Sequence, residues 1–159
     1  MANCHRRALF RMYCRSGLGL FRRPSVARSL TEMSSGKIVA QEHFQRGVEL
    51  FNRGDFFEAH EEMEEAMNAL EENDDSDFEF YLGVLRAAVA NHKLSQGLIS
   101  GAILHLKAAL KFLAPYPGEH HGIRLEEFRA ALAEQRTSLE KFESEGGPAP
   151  SKTPMIEHV

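Results

Sequence analysis

The chain has 159 residues, 43% of them hydrophobic and 26% charged, which is enough for one domain with a real core. No apolar run approaches the roughly 20 residues that cross a bilayer, so the sequence excludes an integral membrane helix. Charge is unevenly spread: residues 1–31 hold seven arginines and no acid, whereas beyond Ser34 there are 12 Lys and Arg against 22 Asp and Glu, a net of −10.

An arginine-rich, acid-free start mixed with Leu, Phe and Ser has the character of an organelle transit peptide. Its few hydroxyls before Thr31 (Ser16, Ser25 and Ser29) favour the mitochondrial matrix over a plastid, with processing expected near Arg28-Ser29-Leu30. The competing reading is a disordered basic arm for nucleic acid or acidic lipid. Both cysteines, Cys4 and Cys14, fall in this stretch. Its removal would leave no cysteine, and so no disulfide, thiolate zinc site or cysteine nucleophile. The acidic remainder argues against nucleic-acid binding, which needs clustered Lys and Arg. The expected organisation is a disordered leader over 1–33, a helical domain over 34–144 and a disordered tail over 145–159.

After the leader, Ser34 or Ser35 is placed to cap a first helix over about Lys37 to Asn52, with Val39 or Ala40, Phe44, Val48 and Phe51 inward. Asn52-Arg53-Gly54 is long enough only for a tight turn, so the second helix folds back antiparallel. Gly54 suits a left-handed closing residue, and Asp55 with Glu58 makes a capping-box pattern. Phe56, Ala59, His60, Met63, Ala66, Met67 and Leu70 then recur at i, i+3, i+4 and i+7, one helical stripe. Glu64 borders that stripe, Glu61 lies further round, and Glu62, Glu65, Glu71 and Glu72 read as a solvated face.

An acidic turn leads to a third helix capped by Ser76 or Asp77 and running to about Ser95. Its stripe is Phe78, Tyr81, Leu82, Leu85, Ala88, Val89 and His92, with Val84, Ala87 and Ala90 on other sides. Between Glu79 and Lys93 the only formal charge is Arg86. A helix apolar nearly all round is a central one, and Gly83 with the alanines allows a neighbour to approach closely. Gly97 ends it. A fourth helix spans about Ile99 to Leu113 and stops at Pro115-Tyr116-Pro117-Gly118. A loop through His120-His121-Gly122 precedes a fifth helix over about Leu125 to Glu143. No strand pattern is evident. Aligning Gly54 with Gly97 puts Ala59 on Ala102, Met63 on Leu106, Ala66 on Ala109 and Met67 on Leu110, a period of 43. The expected fold is all-α: a compact antiparallel bundle of about five helices, two tetratricopeptide-like hairpins closed by a C-terminal helix.

Phe51-Asn52-Arg53-Gly54-Asp55-Phe56-Phe57-Glu58-Ala59-His60-Glu61, then Glu64, resembles the signature of the family catalogued as domain of unknown function 309. Gly83, Gly97, Gly101-Ala102, Lys107-Ala108-Ala109-Leu110 and Leu113-Ala114-Pro115-Tyr116-Pro117 extend the likeness, which covers about Phe44 to Leu125. The resemblance implies a bundle of antiparallel helices and no established biochemical role. Family members commonly carry tryptophan where Met67 stands and glutamines near Leu82 and Arg86. The family's histidine near the end of the third helix falls on His92 or Lys93.

The candidate site is therefore His60, Glu61, Glu64, Arg86 and His92. A lone histidine on an apolar stripe is most often a hydrogen-bonded core residue, and a buried Arg86 needs a carboxylate, for which Glu61 or Glu64 is the natural partner. The residues make no complete catalytic set and call for no cofactor. The first reading is a non-catalytic helical-hairpin module for a protein partner or small ligand, with a homo-oligomer left open. The second is a metal-binding protein or hydrolase-type enzyme using His60, Glu61 and Glu64, with a metal held by His60, Glu64 and His92. Di-iron bundles need paired Glu-x-x-His motifs, which Glu58-Ala59-His60 does not supply. His105, His120, His121 and His158 receive no role.

Overall fold

A computed structural model describes residues 30–71, 77–146 and 153–159. Most of the expected leader (residues 1–29), most of the acidic turn after Glu71 and the Gly-Pro run at 147–152 lie outside the described residues. Five helices follow in order: α1 (Leu30–Arg53), α2 (Phe56–Glu71), α3 (Phe78–Ser95), α4 (Ile99–Leu113) and α5 (Leu125–Glu145). A minute hairpin, β1 (Glu119–His120) and β2 (Ile123–Arg124), joins α4 to α5. α1 begins at Leu30, ahead of the cap expected at Ser34 or Ser35 and inside the expected leader. No helix among the described residues is long and apolar enough to cross a membrane.

Each helix packs mainly on its neighbour in the chain, as short connections require. The two glycine turns are built alike. At the first, Gly54 has φ +88°, its amide donates to the Phe51 carbonyl, and the Asp55 amide donates to Leu50. At the second, Gly97 has φ +74°, its amide donates to Leu94, and the Leu98 amide donates to Lys93. Both are the paired helix-ending bonds that a left-handed residue makes available. The 43-residue echo is thus an echo of turn chemistry as well as of apolar spacing.

The core is the sum of the expected stripes: Ala40, Phe44, Val48 and Phe51 from α1; Ala59, Met63, Ala66, Met67 and Leu70 from α2; Ala102, Leu106, Ala109 and Leu113 from α4; Phe128, Leu132 and Leu139 from α5. α3 is buried on several sides at once, through Phe80, Tyr81, Val84, Ala87, Ala88 and Ala90. A β-carbon placed on Gly83 would stand 2.7 Å from both Cγ and Cδ2 of Leu113, so α4 lies directly against this point. Arg129 of α5 closes the far end of α4, its Nη1 donating to the carbonyls of Leu113 and Tyr116 at 3.1 and 2.8 Å.

Four local expectations are corrected. Asp77 stands at the start of α3 but makes no side-chain capping bond; its carboxylate turns toward His120 and His121 instead. Glu62 is not merely solvated, because Arg46 of α1 donates to it at 3.1 Å and His43 Nδ1 lies 2.8 Å away. Burial alone would raise its pKa, yet the hydrogen bonds from His43 and Arg46 hold it below the ordinary carboxylate value. Strands exist where none is expected. The chain end also folds back: Ile156 is buried, and the Asn52 amide clamps its backbone from both sides at 2.8 Å. Arg124 and Val159 amides complete the contact by donating to Glu157 and Gly122. The Gly-Pro composition signals disorder, but the exposed edge of β2 and a cavity for one isoleucine capture residues 153–159.

Replacing Gly83 by alanine tests the α3–α4 approach. Alanine gains about 1 kcal/mol of helix propensity over glycine. The clash with a buried leucine at Cγ, not at a flexible tip, costs about 1–3 kcal/mol. Urea denaturation is expected to show net destabilisation of Gly83→Ala; a more stable variant would mean the helices are not in close contact there.

Candidate functional site

α2, α3 and α4 carry two polar pairs close enough for the charge of His60 to act on His105. His60 sits on the apolar stripe of α2 and remains about a quarter exposed, its Nε2 3.0 Å from Glu64 Oε1 one turn along. Arg86, midway along α3, is buried at 7% exposure, and its Nη1 lies 3.3 Å from His105 Nδ1 of α4. His105 is itself buried. Burial, then the nearby charges of Arg86, Lys93 and His60, push the His105 pKa down from 6.5 to about 4. The imidazole is therefore neutral at pH 7. Nδ1 accepts from the guanidinium and the ring proton resides on Nε2.

Of the residues singled out from the sequence, His60 and Glu64 pair with each other, while Arg86 meets His105, a residue to which the sequence assigns no role. The signal was present: His105 is three residues after Ala102 and four before Ala109, on the buried stripe of α4. Glu61 is exposed and faces solvent. His92 belongs to the rim. Its ring packs on Phe57 at 5.5 Å, Phe57 in turn packs on His60 at 6.3 Å, and His92 Nε2 lies 2.9 Å from the Gln96 side-chain amide. Phe57 is 46% exposed between these two imidazoles. Deeper in, Gln135 of α5 donates to Asn91 at 2.8 Å, and Asn91 donates to the Ala87 carbonyl, so α3 carries polar contacts to both flanking helices.

The arrangement makes His105 a pH-sensitive element of stability. Its folded pKa of about 4 is below the unfolded value of 6.5, so the unfolded chain takes up a proton first as pH falls. Stability from this group is full above about pH 6.5 and is lost between there and pH 4. With solvent screening the loss is about 2 kcal/mol. His105→Gln keeps a polar group beside Arg86 but cannot titrate. Its unfolding free energy is expected to change less than that of the wild type between pH 7 and pH 4, and parallel profiles would contradict the assignment.

Comparison with known proteins supplies no activity. An uncharacterized protein of Aquifex aeolicus (strain VF5) is 36% identical over 84 residues, which is 53% of this chain and 25% of that protein. The aligned part thus spans about a quarter of the relative's length. No solved structure matches. Over residues 44–104, a stretch holding His60, Glu61, Glu64, Arg86 and His92 and ending one residue before His105, the chain is similar to the family described as Domain of unknown function (DUF309).

Proposed function

We propose that this chain is a non-catalytic helical module, built from two tetratricopeptide-like hairpins, that docks a protein partner on the α2–α3 face around Phe57. The observation that carries this reading is the placement of Phe57: a large apolar ring 46% exposed, held in position by imidazoles on two different helices. Aromatic side chains so presented are typical anchors of binding surfaces. The ring is rimmed by acid. Glu58 and Glu61 are exposed beside it on α2, with Glu64 behind His60. A partner segment that fits would offer an apolar side chain next to Lys or Arg. Beneath the ring, the His60–Glu64 pair and the Arg86–His105 contact act as a stiff polar floor that orients the rim. The basic, acid-free leader supports a place of action in the mitochondrial matrix.

Phe57→Ser combined with Glu61→Lys removes the anchor and reverses one of the rim charges without touching the buried residues. Surface changes of this kind alter stability by about 0.5 kcal/mol each, so the melting temperature is expected to stay within a few degrees. Affinity capture from isolated mitochondria should recover a specific partner with the wild type and lose it with the double variant. Recovery of the same protein by both, or of none by the wild type, would overturn the docking assignment.

A further inference from the structure

At the opposite end of α3 from His92, about 22 Å away along the helix axis, three metal-ligating side chains converge. Asp77 Oδ1 lies 3.0 Å from His120 Nε2, and Asp77 Oδ2 lies 3.0 Å from His121 Nε2. Among the described residues this is the one group of three potential ligands whose donor atoms all fall within 4.8 Å of one another. We propose that Asp77, His120 and His121 form a site for a divalent transition-metal ion, with zinc the ion that best suits the donors.

The first argument is the direction of the lone pairs. His121 Nδ1 lies 2.9 Å from Gln41 Oε1, an oxygen that also accepts from the Tyr81 hydroxyl at 3.3 Å. A carbonyl oxygen only accepts, so Nδ1 carries the ring proton and a neutral His121 has its lone pair on Nε2. That nitrogen is buried, makes no hydrogen bond, and nonetheless stands 3.0 Å from a carboxylate oxygen. The distance is short but the angle is wrong for a hydrogen bond. With the ring neutral, two acceptors face each other at this spot, and a cation between them, a proton or a metal ion, resolves the conflict. Donation of the second ring N–H to an oxygen is also what fixes the tautomer of a metal-bound histidine.

The second argument is that the backbone is bent to present the pair. His121 and Gly122 are the two central residues of the β1–β2 hairpin, with φ +48° and +76°. Positive φ at both positions defines a tight hairpin turn that normally takes Asn, Asp or Gly first. A histidine there costs of order 1 kcal/mol of backbone strain. Asp77 completes the site by forgoing its capping bond.

The third is the packing that holds the rings. Phe80 stacks on His121 at 5.1 Å and meets His120 edge-on at 4.7 Å, while Tyr116 covers the outer side of His120 at 4.9 Å. The two imidazoles stand nearly perpendicular, 85° apart with centroids at 4.6 Å. Zinc bound at 2.0–2.1 Å sets tetrahedral donors about 3.3 Å apart. The two 3.0 Å separations run to different Asp77 oxygens and the three donors all lie within 4.8 Å of one another, so side-chain adjustment is needed to bring one oxygen and both nitrogens to that spacing. All three side chains keep about a quarter of their surface exposed, which leaves a fourth position for water or an exogenous oxygen donor.

The test uses the full chain carrying Cys4→Ser and Cys14→Ser, so that leader thiolates do not compete. Chelator-treated protein is titrated with Zn2+ against a chromophoric competitor and with Co2+ by visible absorption. One equivalent is expected to bind. His120→Gln, His121→Gln and Asp77→Asn should each weaken binding at least tenfold, and Gln41→Leu about tenfold through the lost orienting bond. His60→Gln with His92→Gln should leave it unchanged. In case a site variant misfolds, NMR of the wild type labelled with 15N at histidine gives an independent readout: Zn2+ should first shift the His120 and His121 signals. Absence of stoichiometric uptake, uptake retained in a His120→Gln, His121→Gln double variant, or first shifts at other histidines would each overturn the site. None of these outcomes depends on the docking face around Phe57.

Discussion

A guanidinium enclosed in a helix that is apolar on most sides is the constraint around which the bundle is arranged. Leaving Arg86 unmatched in the core would cost several kcal/mol, so neighbouring helices must bring it polar atoms. α4 does so with His105, and can do so because Gly83 and the alanines of α3 let it come close. The same closeness lowers the His105 pKa, since an imidazole pressed against a guanidinium in a desolvated space is penalised for taking a second charge. Packing and charge state are here two faces of one contact.

α3 also links two separate clusters of polar and aromatic side chains. From its middle to its C-terminal end it carries Arg86, Asn91 and His92, and these look toward α4, α5 and α2. Its N-terminal end carries Asp77, Phe80 and Tyr81, which look toward the hairpin and α1. The first group reaches an exposed aromatic ring through His92, which packs on Phe57. The second is an aromatic box around two imidazoles and a carboxylate. One central helix therefore sets the geometry of both regions.

The hairpin and the chain end form a small unit of their own. β2 offers an open edge, and residues 153–159 pair with it while Ile156 fills a space beside Asn52. Asn52 lies in the last turn of α1, just before the Gly54 turn, so this contact ties the first helix to the chain end across more than a hundred residues. It also steadies the turn on which His120 and His121 stand.

The helices, their boundaries to within a residue or two from α2 onward, the buried stripes and the two glycine turns were all legible in the sequence. They are local properties, set by a 3.6-residue period and by the left-handed freedom of Gly54 and Gly97. His60, Glu64 and Arg86 stood out for the same reason, as polar exceptions on or beside an apolar stripe. The meeting of Arg86 with His105, the turn of Asp77 away from its helix toward a histidine pair 43 residues on, and the return of Ile156 to Asn52 were not. Those depend on how closely helices approach and where a loop is carried in space. Spacing along the chain encodes which face a residue occupies, while only the tertiary packing decides what stands opposite it.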